Sequence, residues 1–190
     1  MIIGITGAFG SGKTTVANIF KKYGFEVINA DELYHGIYGR DEKLKNKIIK
    51  EFGALDRSKI KKIVFNDSKK LKKLNEITHP IIIKEIKNKI KEIKENNQSA
   101  KIVLDVPLLI EAKMQGMVDK IIVVKCDEKA QIERLLKKGR HTRAEIENII
   151  SSQMPIEEKL RYADFVVDNS SSINEAEKQI AEIINSVQKP

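Results

Sequence analysis

Five short runs of apolar and β-branched residues punctuate the chain: Ile2–Thr6, Phe25–Ala30, Lys101–Leu104, Lys120–Lys125 and Phe165–Val167. Their apolar residues are continuous rather than alternating, which predicts strands buried on both faces, as in a parallel sheet covered by helices. Between them, apolar residues recur every third or fourth position. This spacing predicts helices over Lys13–Tyr23, Glu128–Lys138 and Ile173–Val187, and another starting at Arg143. Gly24 supplies a stop for the first helix. Residues 32–97 read as one long helical region, broken near Gly53, Asn66–Ser68 and His79–Pro80. In its last helix Ile83, Ile86, Ile90 and Ile93 form one apolar stripe. Strands alternating with helices imply an α/β fold. The second connection is too long for a simple crossover and reads as a substrate-side insert.

The turn after the first strand reads GAFGSGKT and fits G-x-x-x-x-G-K-[ST] at Gly7, Gly12, Lys13 and Thr14. Glycines let backbone N–H groups line an anion nest, and the following helix aims its positive end at the same point. Lys13 would place its charge on the β- and γ-phosphates, and the Thr14 hydroxyl would ligate Mg²⁺. The plainer alternative is a glycine turn that merely joins strand to helix. A strand before and a helix after favour a nucleoside triphosphate site. The chain has no N-K-x-D for reading guanine, and DVPLL stands where a switch D-x-x-G would follow the third strand. Its length and its insert favour a small-molecule kinase over a regulatory GTPase or a helicase. Such an enzyme needs an acceptor pocket and a mobile basic cover.

Asp31 follows the carboxyl end of the second strand, the edge where open α/β sheets bind ligands. It could orient or deprotonate an acceptor hydroxyl, or it could cap the helix expected from Glu32. Asp105 closes the third strand, as a carboxylate holding magnesium-bound water would, or serves as a loop or cap residue. His79, before Pro80 at an expected helix start, is a cap or a substrate contact. In RLLKKGRHTRAE, arginine matters more than lysine because its planar fork matches phosphate oxygens. Arg140, after Gly139, is the first candidate for a phosphate clamp, then Arg134, then Arg143.

Composition narrows the classes. Of 190 residues 41% are hydrophobic and 33% charged, the balance of a soluble globular domain. No apolar run approaches the ~20 residues of a membrane span, and the opening apolar stretch is too short for a secretory signal. A single cysteine, Cys126, excludes an internal disulfide framework and suits a reducing cytoplasm. The net charge of +8 is spread over lysines on almost every predicted helix, and aromatic residues are only 5%. That pattern describes a solvated lysine-rich surface, so no nucleic-acid partner is expected.

Taken in order, the blocks GITGAFGSGKTTVA, VINADELYH, DRSKIKKIVF, LNEITHPIII, VLDVPLLIE and QIERLLKKGR, with SSQMPIEEKLRYADFVVDN, resemble the dephospho-coenzyme A kinases over nearly the whole chain. The resemblance implies a three-layer P-loop kinase fold with a five-stranded parallel sheet, a helical coenzyme-binding insert and a lid. In these terms residues 1–190 are a single kinase domain, 32–97 the acceptor-binding subdomain and 134–160 the lid region. It implies transfer of the γ-phosphate of ATP, with Mg²⁺, to the 3′-hydroxyl of dephospho-coenzyme A. By position it assigns ATP binding to Gly10, Ser11, Gly12, Lys13, Thr14 and Thr15 and catalysis to Asp31, Lys13 and Arg140. His79, Pro107, Leu108 and Leu109 fall to the acceptor, and Thr14 and Asp105 (through water) to the metal. The chain departs from the family in reading INAD where D-A-D is common, and DNSSS where D-N-x-G is common. The residues alone leave open another small-molecule or nucleoside monophosphate kinase, or a nucleotide-binding module without phosphotransfer. Oligomeric state is open.

Overall fold

A computed structural model describes residues 1–65, 67–139 and 141–188. The chain divides into two compact units, one of Met1–Asn29 with Ile93–Pro190 and one of Ala30–Glu92.

The first unit is built on a five-stranded, wholly parallel sheet in the order β2-β3-β1-β4-β5. The strands are β1 (Ile2–Gly7), β2 (Glu26–Asn29), β3 (Ile102–Asp105), β4 (Lys120–Lys125) and β5 (Phe165–Asp168). β1 lies at the centre, buried from Ile3 to Gly7. One face of the sheet, with Ile3, Ile5, Val103, Ile122 and Val124, packs against α1 (Lys13–Lys22) and α9 (Ile173–Gln188). Val16, Phe20, Ala176 and Ile180 fill that layer. Phe20 meets Phe25 edge to face at 5.1 Å, fixing the turn from α1 into β2. The remaining helices of this unit are α6 (Glu128–Lys137), α7 (Arg143–Ser151) and α8 (Ile156–Leu160). Neither α8 nor a 3₁₀ turn at Gln115–Met117 is expected from the pattern, because each is too short to show a period.

The second unit holds α2 (Ala30–Arg40), α3 (Glu42–Phe52), α4 (Arg57–Phe65) and most of α5 (Ser68–Asn96). Ile37, Leu44, Ile48, Ile60 and Val64 form its core, bordered by Leu71, Leu74, Ile77 and Ile81. Asp41 caps α3 by accepting from the Leu44 N–H at 2.9 Å, and Gly53 ends it with φ 67°. The break expected at His79–Pro80 is absent: α5 runs through, with Pro80 in its interior. Proline removes one backbone hydrogen bond, a cost of about 3 kcal/mol in a helix interior. Leu71, Leu74, Ile77 and Ile81 keep the apolar stripe continuous across it, and burying that stripe outweighs the loss. His79 is therefore a mid-helix residue, not a helix-start cap. Among the described residues no helix is long and apolar enough to cross a membrane.

Candidate active site

The site grows from the carboxyl end of β1. Gly7 leaves the strand with φ 148°, and a Cβ there would lie 2.1 Å from the Val124 carbonyl oxygen of β4. The chain turns under the sheet edge only because no side chain is present. The loop then enters α1 through Gly12, left-handed at φ 91°, with no side chain capping the helix. The first-turn N–H groups of α1 are thus left for an anion. Ser11 is fully buried, and its Oγ has no hydrogen-bond partner among the described residues. Buried polar atoms are seldom left so, and a phosphate oxygen would satisfy this hydroxyl. Lys13 is 8% exposed and folds over the loop, donating to the carbonyls of Ala8 at 2.8 Å and Gly7 at 3.3 Å.

Three elements bring polar side chains to one point beside the loop. Thr14, in the first turn of α1, donates through Oγ1 to Asp105 Oδ2 at 2.9 Å. Asn29, the last residue of β2, donates through Nδ2 to the same oxygen at 2.8 Å. Asp105 itself ends β3 and is 2% exposed. The parallel register puts Asn29 opposite Asp105, so the two strand ends meet by construction. Asn29 was not expected here. Its signals in the sequence are its place at a strand end and its standing where the family commonly has the first aspartate of D-A-D.

Asn169, just past β5, locks the loop from the other side. Its Nδ2 donates to the Ser11 carbonyl at 2.8 Å in the interior. A Cβ on Gly12 would lie 2.0 Å from that nitrogen, so the glycine is required by the asparagine as well as by φ. Gln131 of α6 donates to the Phe9 carbonyl, and the Phe9 ring meets His141 edge to face at 5.7 Å.

Arg134, the second candidate for a phosphate clamp, is engaged by backbone carbonyls. Its guanidinium donates to the carbonyls of Asn169 at 2.6 Å and of Ser170 and Ser171 at 3.3 Å each. It therefore holds the loop that carries Asn169. Arg143 pairs with Glu147 at 3.0 Å on α7. Arg140 lies outside the described residues. Cys126 sits beside Arg134 with its thiol pushed up, chiefly by burial, which disfavours the reactive thiolate.

Pro107, Leu108 and Leu109 follow β3. Pro107 and Leu108 are half-buried, whereas Leu109 is fully buried, its Cδ1 occupying the space over Gly4 of β1. The Pro107 carbonyl accepts from Thr6 Oγ1 and from Lys159 Nζ, each at 2.9 Å. Lys159 has no exposed side-chain surface and also pairs with Glu111 at 2.9 Å. In the sequence this lysine is a position of the block SSQMPIEEKLRYADFVVDN, but nothing in EEKL marks it as buried or gives it a role. Asp31 and His79 belong to the second unit. Asp31 is exposed in the first turn of α2, which begins at Ala30, so it does not cap a helix starting at Glu32.

The comparisons with known proteins fit this arrangement. The profile of the family described as Dephospho-CoA kinase matches residues 1–175. The chain belongs to the dephospho-CoA kinase family. It is 44% identical to the dephospho-CoA kinase of Carboxydothermus hydrogenoformans over 191 residues, covering 96% of this chain and 92% of that one. It is 39% identical to that of Aquifex aeolicus, over 95% of this chain and 94% of the relative. The solved dephospho-CoA kinase from Campylobacter jejuni superposes with a TM-score of 0.68 at 25% identity, over 98% of this chain and 96% of that one. The parallel sheet with its P-loop after β1 is thus the fold of the dephospho-CoA kinase family.

Proposed function

We infer that this chain transfers the γ-phosphate of ATP to the 3′-hydroxyl of dephospho-coenzyme A, giving coenzyme A and ADP, the last step of coenzyme A biosynthesis. The acceptor's identity is carried by one observation, the family match over residues 1–175. The site chemistry agrees with it. The uncapped start of α1 and the orphaned Ser11 hydroxyl suit the phosphates of ATP. Lys13, held on two loop carbonyls, moves its charge onto the transferring phosphate.

Thr14 and Asp105 offer a hydroxyl and a carboxylate, an all-oxygen donor pair. Among the described residues no group of three or more His, Cys, Asp or Glu could hold a metal. A pair rather than a cage fits Mg²⁺, which keeps several waters and enters with substrate phosphates. Thr14 would ligate it directly and Asp105 through water. When bound, Mg²⁺ neutralises charge on the β- and γ-phosphate oxygens. Asn29 holds Asp105 in place through its amide.

Asp31, two residues beyond Asn29, accepts or orients the proton of the acceptor hydroxyl. Arg140 meets the phosphates from the lid region, residues 134–160. The helical region 32–97 is the acceptor subdomain by the family resemblance, which also assigns His79, Pro107, Leu108 and Leu109 to the acceptor. A cytoplasmic site of action fits an ATP-dependent enzyme with one free cysteine.

The test is phosphate transfer from ATP to dephospho-coenzyme A, with nucleoside monophosphates as control acceptors. Transfer to the controls alone would overturn the reading. Asp31→Asn should leave ATP binding intact while lowering turnover by roughly 10²-fold, the lower end for a general base, because loose phosphoryl transfer needs little base assistance. Unchanged turnover would remove Asp31 from the chemistry.

A further inference from the structure

The block DRSKIKKIVF contributes nothing to the site described above, yet its arginine stands in an unusual setting. Arg57 opens α4 and is exposed. Its guanidinium carbon lies 5.5 Å from the centroid of the Tyr34 ring and 5.7 Å from that of Tyr38. The two rings meet edge to face at 5.7 Å. The guanidinium also hydrogen-bonds the His35 ring, with Nη2 3.1 Å from Nε2. The Tyr38 hydroxyl donates to the Leu55 carbonyl, tying the turn before α4 to α2. All of these residues lie within the second unit.

Four features separate this cluster from an ordinary surface arginine. Among the described residues Arg57 has no carboxylate partner. The adjacent acid, Asp56, is turned away into its own helix cap, accepting from the Ser58 hydroxyl at 2.5 Å and the Lys59 N–H at 2.9 Å. Those bonds, the Ser58 one foremost, hold its carboxyl below the usual range, so it stays ionised in that role. The two rings and the imidazole fix the plane of the guanidinium before any ligand arrives, which lowers the entropy lost on binding. Finally, Tyr34 is half-buried, and that burial is the chief cause raising its pKa to about 12, so the ring face beside the guanidinium is partly screened from water. A fixed, uncompensated planar cation beside aromatic faces matches a nucleotide's paired phosphates and base.

We propose that Arg57, held by Tyr34, Tyr38 and His35, is the receptor on the helical insert for the pyrophosphate of the acceptor, dephospho-coenzyme A. The proposal rests on the acceptor named under Proposed function. Its phosphates accept the N–H groups of the fork that His35 does not occupy.

Steady-state kinetics test it, with ATP and dephospho-coenzyme A each varied at saturation of the other. Arg57→Ala should raise KM for dephospho-coenzyme A about 10- to 100-fold, the loss expected for charge-assisted hydrogen bonds. KM for ATP should stay within about twofold. Arg57→Lys keeps a point charge without the fork and should fall between wild type and Arg57→Ala. It also preserves the test if Arg57→Ala does not fold. An unchanged KM for dephospho-coenzyme A in either folded variant overturns the proposal. So do equal rises in both KM values, which would make Arg57 a packing residue. The two readings fail differently. A wild-type protein that transfers no phosphate to dephospho-coenzyme A refutes the function, whereas an active wild type with an indifferent Arg57 refutes only this receptor.

Discussion

The contact between Gly12 and Asn169 allows a prediction of coupling, not merely of loss. Gly12→Ala places a non-glycine residue at φ 91°, a strain of about 1–2 kcal/mol. The new Cβ would also lie 2.0 Å from Asn169 Nδ2. That amide must swing away, giving up its 2.8 Å bond to the Ser11 carbonyl. A buried acceptor left unsatisfied costs about 1–3 kcal/mol, so Gly12→Ala should cost about 2–5 kcal/mol in all. At about 3 °C per kcal/mol for a chain of this length, its melting temperature should fall by about 6–15 °C. Asn169→Ala loses the same bond without the backbone strain, about 1–3 kcal/mol. In the double variant the bond is lost only once. The two changes should therefore be sub-additive by about 1–3 kcal/mol. Urea unfolding of the four proteins in the cycle measures this. Strict additivity would show that Asn169 does not brace the loop, and the account of why Gly12 is glycine would fall back on φ alone.

Lys13→Ala should leave the protein folded and lower turnover by roughly 10²–10³, as when one electrostatic contact to a transferring group is removed; near-wild-type turnover would unseat the P-loop assignment. If Arg140 contacts the nucleotide as proposed, Arg140→Ala should lower turnover at saturating ATP more than it lowers the melting temperature; circular-dichroism melts beside kinetics decide it. Asp164 accepts from the Ile121 N–H at 2.8 Å and from Lys120 at 2.9 Å, the Lys120 bond chiefly holding its carboxyl below the ordinary value. Its contribution should be present above about pH 4 and be lost as the pH falls through its depressed value, so Asp164→Asn should flatten the acid limb of a plot of melting temperature against pH.

The sheet and the P-loop were legible in the sequence because both are local. A buried strand is a run of apolar residues, and the nest needs glycines at fixed spacing followed by Lys13 and Thr14. The stops at Gly24 and Gly53 were legible for the same reason, since both have positive φ. Where the local rule competed with burial it failed. Pro80 reads as a helix start, but the apolar stripe from Leu71 to Ile81 carries α5 through it.

Which polar side chains of the site bond to one another was decided only by the tertiary structure; the resemblance names Thr14 and Asp105 for one metal, but neither Asn29 as a partner of Asp105 nor Asn169 as a partner of Ser11. Thr14 and Asp105 are 91 positions apart, Asn29 and Asp105 76, and Asn169 and Ser11 158. Periodicity predicts that strands exist, but not that β2 lies beside β3 and β3 beside β1. That order alone brings Asn29 opposite Asp105. Arg134 illustrates the limit most clearly. Its chemistry suits a phosphate as well as a row of carbonyls, and its partners are set by where β5 ends. A side chain's capacity is fixed by its residue type, whereas its occupation depends on which distant backbone the packing brings within about 3 Å.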